Sequence, residues 1–101
     1  MKKSIYHSHL ARMLGTSILE SRKKLNIRQK ALAEMLGFSP QFMGQIETGK
    51  AIIPEDSLTK AIHLLQISSS SIVKIYKVAG ELGAKDIIKN SKKYSRNKKV
   101  S

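Results

Sequence analysis

The chain has 101 residues, 41% of them hydrophobic, with no cysteine and no tryptophan. That length holds one domain and one modest core, which must rest on Leu, Ile and Met. Disulfides and thiolate metal sites are excluded, and no apolar run reaches the roughly 18 residues that a membrane span needs. Nineteen Lys and Arg against seven Asp and Glu give a net charge of +12, which points to a polyanionic partner, either nucleic acid or an anionic membrane face.

The N-terminal MKKSIYHSHLAR is basic but has no continuous apolar segment and no small-residue cleavage site, so it does not read as a secretion signal. A first helix is expected over residues 8–25, where Leu10, Leu14, Ile18 and Leu25 follow a helical stripe, and Asn26 ends it. Gln29 to Leu36 form a short second helix, with Leu32, Ala33 and Leu36 on one face. Gly37 sits where a left-handed residue past the helix end is wanted. After the turn at Phe38 and Ser39, Ser39 is an N-cap candidate and Pro40 suits the first helical position of a third helix. That helix runs to about Glu47 and stops at Gly49. Met43 and Ile46 face inward, which leaves Pro40, Gln41, Gly44, Gln45 and Thr48 outside.

A loop from Lys50 to Pro54 contains Ile52 and Ile53, each open to a role in the core or in a dimer contact. Glu55 and Asp56 match the dipole at the start of a fourth helix, whose apolar face is Leu58, Ile62 and Leu65. The SSSS at 68–71 caps a fifth helix over roughly 71–89, carrying Ile72, Ile75, Tyr76, Ala79, Leu82 and Ile87. Residues 85–101 hold seven Lys/Arg and one Asp, a net +6 that equals the net charge of the first 84 residues. From Lys89 onward the chain is almost free of apolar residues and is expected to be a flexible basic tail. The expected organisation is a helical unit over 1–67 with its core motif at 14–67, a C-terminal helix over 68–88 for packing or dimerisation, and the tail over 89–101.

Two short helices joined by a glycine turn are the skeleton of a helix-turn-helix. The stretch LGTSILESRKKLNIRQKALAEMLGFSPQFMGQIETGK resembles the Cro and repressor type, the XRE family. The marks that carry the resemblance are Arg22, Gln29, Leu32-Ala33, Leu36-Gly37, Ser39, Ile46-Glu47 and Gly49-Lys50. It implies an all-α, five-helix, lambda-repressor-like DNA-binding domain, here with a C-terminal helix and a disordered basic tail. The implied function is a sequence-specific double-stranded DNA-binding transcription regulator, a repressor rather than an activator, acting as a homodimer on a palindromic operator.

The third helix then reads the major groove. Gln41 and Gln45 lie one turn apart, and each amide offers the donor and acceptor that the adenine edge asks for; Pro40 and Gly44 complete the base-contacting set. Gly44 costs the helix about 1 kcal/mol relative to Ala, which close approach of the backbone to DNA would offset. The phosphate-contacting set is Arg28, Gln29, Lys30, Phe42, Thr48 and Lys50, with the first three at a helix start that favours an anion. Arg22 and Glu47 face each other in the resemblance as a structural ion pair. Three departures stand out. Arg28 replaces the usual Ser or Thr cap, Phe42 stands where relatives often have Tyr, and the loop GKAIIP is one residue longer and has Ala51 where a basic residue is common.

No catalytic set, cofactor site or metal site is expected. His7 and His9 point to different faces of a helix, and His63 is alone. The expected location is cytoplasmic, in a bacterial or phage-type setting at the nucleoid. A competing reading is an antitoxin or adaptor that binds a protein partner through the fifth helix or the tail, with DNA binding as autoregulation. A third is a coactivator or RNA-associated factor with weak base readout.

Overall fold

Five helices and no strand make up residues 4–95, the part of the chain that this computed structural model describes. They are α1 (Ile5–Lys24), α2 (Gln29–Leu36), α3 (Pro40–Glu47), α4 (Glu55–Leu65) and α5 (Ser69–Ser95). The all-helical expectation therefore holds, and each boundary has a local cause. α1 begins at Ile5 rather than at residue 8, because Ser4 caps it: the Ser4 Oγ accepts the His7 N–H at 3.1 Å. At its other end Asn26 takes the left-handed conformation, with φ 59°, and the Asn26 and Ile27 N–H groups bond back to the Lys23 and Arg22 carbonyls. Leu25 is consequently carried into the turn and is 36% exposed, instead of closing the apolar stripe as its spacing suggests.

α2 ends at Gly37, whose φ of 74° only glycine adopts readily. Phe38 then donates its N–H to the Ala33 carbonyl at 2.8 Å. Ser39 caps α3 through its Oγ, which accepts the Phe42 N–H at 3.1 Å, and Pro40 opens the helix. Glu55 and Asp56 lie in the first turn of α4, and Gln66 ends it in the left-handed region with φ 56°. Ser68 starts α5, its Oγ accepting the Ser71 N–H at 3.1 Å and its carbonyl the Ile72 N–H at 3.2 Å.

α5 does not stop at residue 89. Residues 89–95, expected from composition to belong to a flexible tail, continue the helix. A shortage of apolar residues argues against burial, not against helix; Lys is a good helix former and the stretch has no Gly or Pro. Residues 96–101 of the expected tail lie outside the described residues. No described helix is long and apolar enough to cross a membrane.

The core is built around α1. Leu14 and Ile18 of α1, Leu32 of α2, and Met43 and Ile46 of α3 are the largest fully buried side chains, each contributing about 1.5–3 kcal/mol of transfer free energy. Leu58, Ala61 and Leu65 of α4 close one side, and Ile75 and Ala79 of α5 close another. Of the loop pair, Ile53 joins the core while Ile52 is 37% exposed. Ile72 and Tyr76 pack at the edge of this core. Burial, the Tyr6 phenol and the Glu55 carboxylate together raise the pKa of the Tyr76 phenol above its ordinary value. Beyond Asp86, which bonds His9 of α1, α5 leaves the body: Ile87, Ile88 and Tyr94 are exposed.

One residue that periodicity does not single out sets the distance between α1 and α3. Gly15 is buried, and a β-carbon there would run into the Ile46 carbonyl oxygen and crowd the Glu47 carbonyl. Both obstacles are backbone, so nothing can rotate aside. Gly15→Ala should therefore lower stability by about 1–3 kcal/mol, the usual cost of overpacking. Urea denaturation of parent and variant measures it.

Candidate nucleic-acid interface

The outer face of α3 depends on what holds its inner face. Met43 and Ile46 are buried to 0% exposure, and the last residue of the helix, Glu47, is buried with Arg22 of α1. The Arg22 guanidinium meets the carboxylate through two bonds, Nε to Oε2 at 2.7 Å and Nη2 to Oε1 at 3.1 Å. Its Nη1 donates to the Ile27 carbonyl at 2.8 Å. Glu47 Oε1 also accepts from Gln29 Nε2 at 2.8 Å. Helices α1, α2 and α3 thus share one network, and among the described residues no buried side-chain polar atom lacks a partner. Gln29 is the member that sequence reasoning misses, since the resemblance places it only at a phosphate. The signal is available in part: a buried carboxylate has more acceptor capacity than one Arg fills.

The opposite face of α3 is open. Gln41 and Gln45 are exposed, as are Pro40 and Thr48, and Gly44 lies between them partly covered. A β-carbon at Gly44 would meet nothing nearer than the Gln29 amide nitrogen at 3.8 Å, an ordinary contact. Packing within the protein therefore gives no reason for glycine at this position.

Two of the residues expected at phosphates already have partners within the protein. The Phe42 ring packs edge-on against Phe38, with centroids 4.9 Å apart, and its N–H is taken by the Ser39 cap. It offers a phosphate neither a hydroxyl nor a free amide. The Thr48 hydroxyl turns back on its own helix and donates to the Gly44 carbonyl at 2.9 Å, so its single proton is already engaged. Arg28, at the N-cap position of α2, makes no side-chain capping bond, and it is exposed, as are Lys30 and Lys50. Gln29 retains a second amide proton beside the one given to Glu47.

Two of the three histidines bond within the fold. His9 bonds Asp86 of α5 through Nε2 at 2.8 Å and Arg12 through Nδ1 at 2.9 Å, while His7 bonds Ser4 at 2.9 Å. Among the described residues, no group of three or more His, Asp or Glu is placed to hold a metal.

A short, core-anchored helix with polar residues outward, preceded by a second helix across a glycine turn, defines a helix-turn-helix DNA-binding protein. A family profile described as helix-turn-helix matches residues 18–72, just over half of the chain. The chain belongs to this family, of the Cro and repressor (XRE) type. At that level it is a DNA-binding transcription regulator. Neither the curated proteins nor the solved structures contain a match.

Arg22 and Glu47 are 9% and 5% exposed, and removing one member of such a pair leaves the other charged and buried. Arg22→Ala and Glu47→Ala should each cost about 3–5 kcal/mol of stability. The double replacement Arg22→Met with Glu47→Leu should cost less than either single change, because it leaves no unpaired charge. Thermal and urea denaturation of the three variants checks the order.

Proposed function

We propose that the protein is a sequence-specific double-stranded DNA-binding repressor that reads the major groove with the exposed face of α3. Gln41 and Gln45 contact base edges, with Pro40 and Gly44 allowing close approach. Arg28, Gln29, Lys30 and Lys50 engage phosphates and set the register without reading bases. A homodimer on a palindromic site follows from the usual geometry of such domains, with half-sites about one turn apart.

The observation that carries this reading is the composition of that face. Two neutral amides flank a glycine that the protein's own packing does not require. In a helix such a glycine costs about 1 kcal/mol relative to alanine, and approach of a ligand to the backbone supplies the missing reason.

The test begins with selection of preferred duplexes from a random pool by the purified protein. On the selected site, Gln41→Ala and Gln45→Ala should each lose about 1–3 kcal/mol and relax preference at particular base pairs. Undiminished affinity in both would place base readout elsewhere. Gly44→Ala separates stability from function: it should raise stability by about 0.5–1 kcal/mol through better helix propensity, while weakening duplex binding. A stabilised variant that binds as well as the parent would remove the argument from Gly44.

A second reading, an adaptor or antitoxin with a protein partner, draws on the exposed Ile87, Ile88 and Tyr94 at the end of α5. Truncation before Lys89 separates the two. If the segment serves DNA, affinity for specific and random duplexes should fall together. The slope of log affinity against log salt should then drop by about 0.9 for each phosphate that is no longer neutralised. An unchanged slope would favour the protein partner.

A further inference from the structure

The loop after α3 is poor in charge for a DNA-facing element. Lys50 is followed by Ala51, Ile52, Ile53 and Pro54, and Ile53 is committed to the core at 3% exposure. A further cation on this flank has to come from another element, and α1 brings one. The backbone of α1 at Arg12 lies directly against Gly49: a β-carbon on Gly49 would fall 2.8 Å from the Arg12 Cα and 3.2 Å from its Cβ. Arg12 thus emerges beside the end of α3, against the residue that precedes Lys50.

Its side chain is held in an unusual way. Arg12 is exposed, and among the described residues no carboxylate lies within ion-pair distance of it. Its Nη2 instead donates to His9 Nδ1 at 2.9 Å. A guanidinium can only donate, so His9 Nδ1 is the acceptor and the ring proton sits on Nε2. That proton is given to Asp86 Oδ2 at 2.8 Å. The Asp86–His9 contact is therefore a hydrogen bond from a neutral imidazole. The chain Asp86, His9, Arg12 orients the guanidinium without neutralising it, and most of its N–H donors stay available.

We propose that Arg12 is a further DNA phosphate contact, flanking the C-terminal end of α3, and that His9 and Asp86 are its positioning residues. The inference rests on the DNA-binding reading above. It gives α5 a part in DNA binding that needs no base contact: through Asp86 it fixes the rotamer of a cation on α1. A guanidinium suits this role because its planar fork meets two phosphate oxygens at once.

The test is a salt titration of the full chain on its selected duplex and on a scrambled one. Arg12→Gln retains a donor for His9 and removes the charge. Its melting temperature should match the parent's. Its affinity should fall by similar factors on both duplexes, and its salt slope should drop by about 0.9 per subunit. Arg12→Lys should keep the slope. His9→Ala should weaken binding in the parent background and add nothing in the Arg12→Gln background. A parent that binds no duplex would overturn the DNA reading and this one with it. A parent that binds, with an Arg12→Gln variant of equal slope and affinity, would overturn the Arg12 assignment alone. Equal losses from His9→Ala in both backgrounds would overturn the positioning role and leave His9 as a link between α1 and α5.

Discussion

The structure turns on the buried carboxylate of Glu47. It ends α3, and it is held by Arg22 from α1 and Gln29 from α2. Apolar contacts from Met43 and Ile46 press α3 onto the core, but such contacts are non-directional. A bidentate guanidinium–carboxylate pair has a fixed geometry, and here it sets the rotation of an eight-residue helix about its own axis. A helix that short is marginal by itself. Its outward face is useful for recognition only if that rotation is fixed, and the Arg22–Glu47–Gln29 network fixes it.

A second constraint is distance. Gly15 lets the α1 backbone approach the end of α3 so closely that the Ile46 carbonyl occupies the place of a side chain. Gly49, just past that helix end, does the same against Arg12. The two glycines bring the α1 backbone directly against the end of α3. The Arg22–Glu47 pair joins the same two helices, and Arg12 lies beside the residue that precedes Lys50. Packing and electrostatics at this junction are therefore one arrangement, not two.

The charge distribution adds a separate level. The excess of Lys and Arg draws the protein toward a polyanion of any sequence, since counterion release does not read bases. The neutral amides of Gln41 and Gln45 are suited to the discrimination that the cations lack. In the proposed reading the basic residues supply attraction and register, and the uncharged outer face of α3 supplies choice. The C-terminal part of α5 adds further lysines on a helix that leaves the body.

Much of this is legible in the sequence. The glycine at 37, the serine and proline at 39 and 40, and the acids at 55 and 56 mark helix ends through local chemistry, which acts between near neighbours. The inward set of α3 follows from spacing alone. The long-range features are legible only through a family resemblance, or not at all. That Leu25 is turned outward depends on Asn26 reversing the chain. That Gln29 joins Glu47 depends on how α2 lies across α3. The Phe42 ring, expected at a phosphate, packs on Phe38 because the turn brings the two rings together. The extension of α5 through residue 95 is hidden because low hydrophobicity suggests lack of order, although helix propensity and burial are independent quantities. By itself the sequence determined the five helices, the inner and outer faces of α3 and the basic character, because capping, periodicity and charge are local or additive. Only the tertiary structure decided that Gln29 joins the Glu47 carboxylate, how closely Gly15 and Gly49 meet their neighbours, and the chain from Asp86 through His9 to Arg12. These join residues up to 77 positions apart, and no local rule relates such residues until the helices have packed.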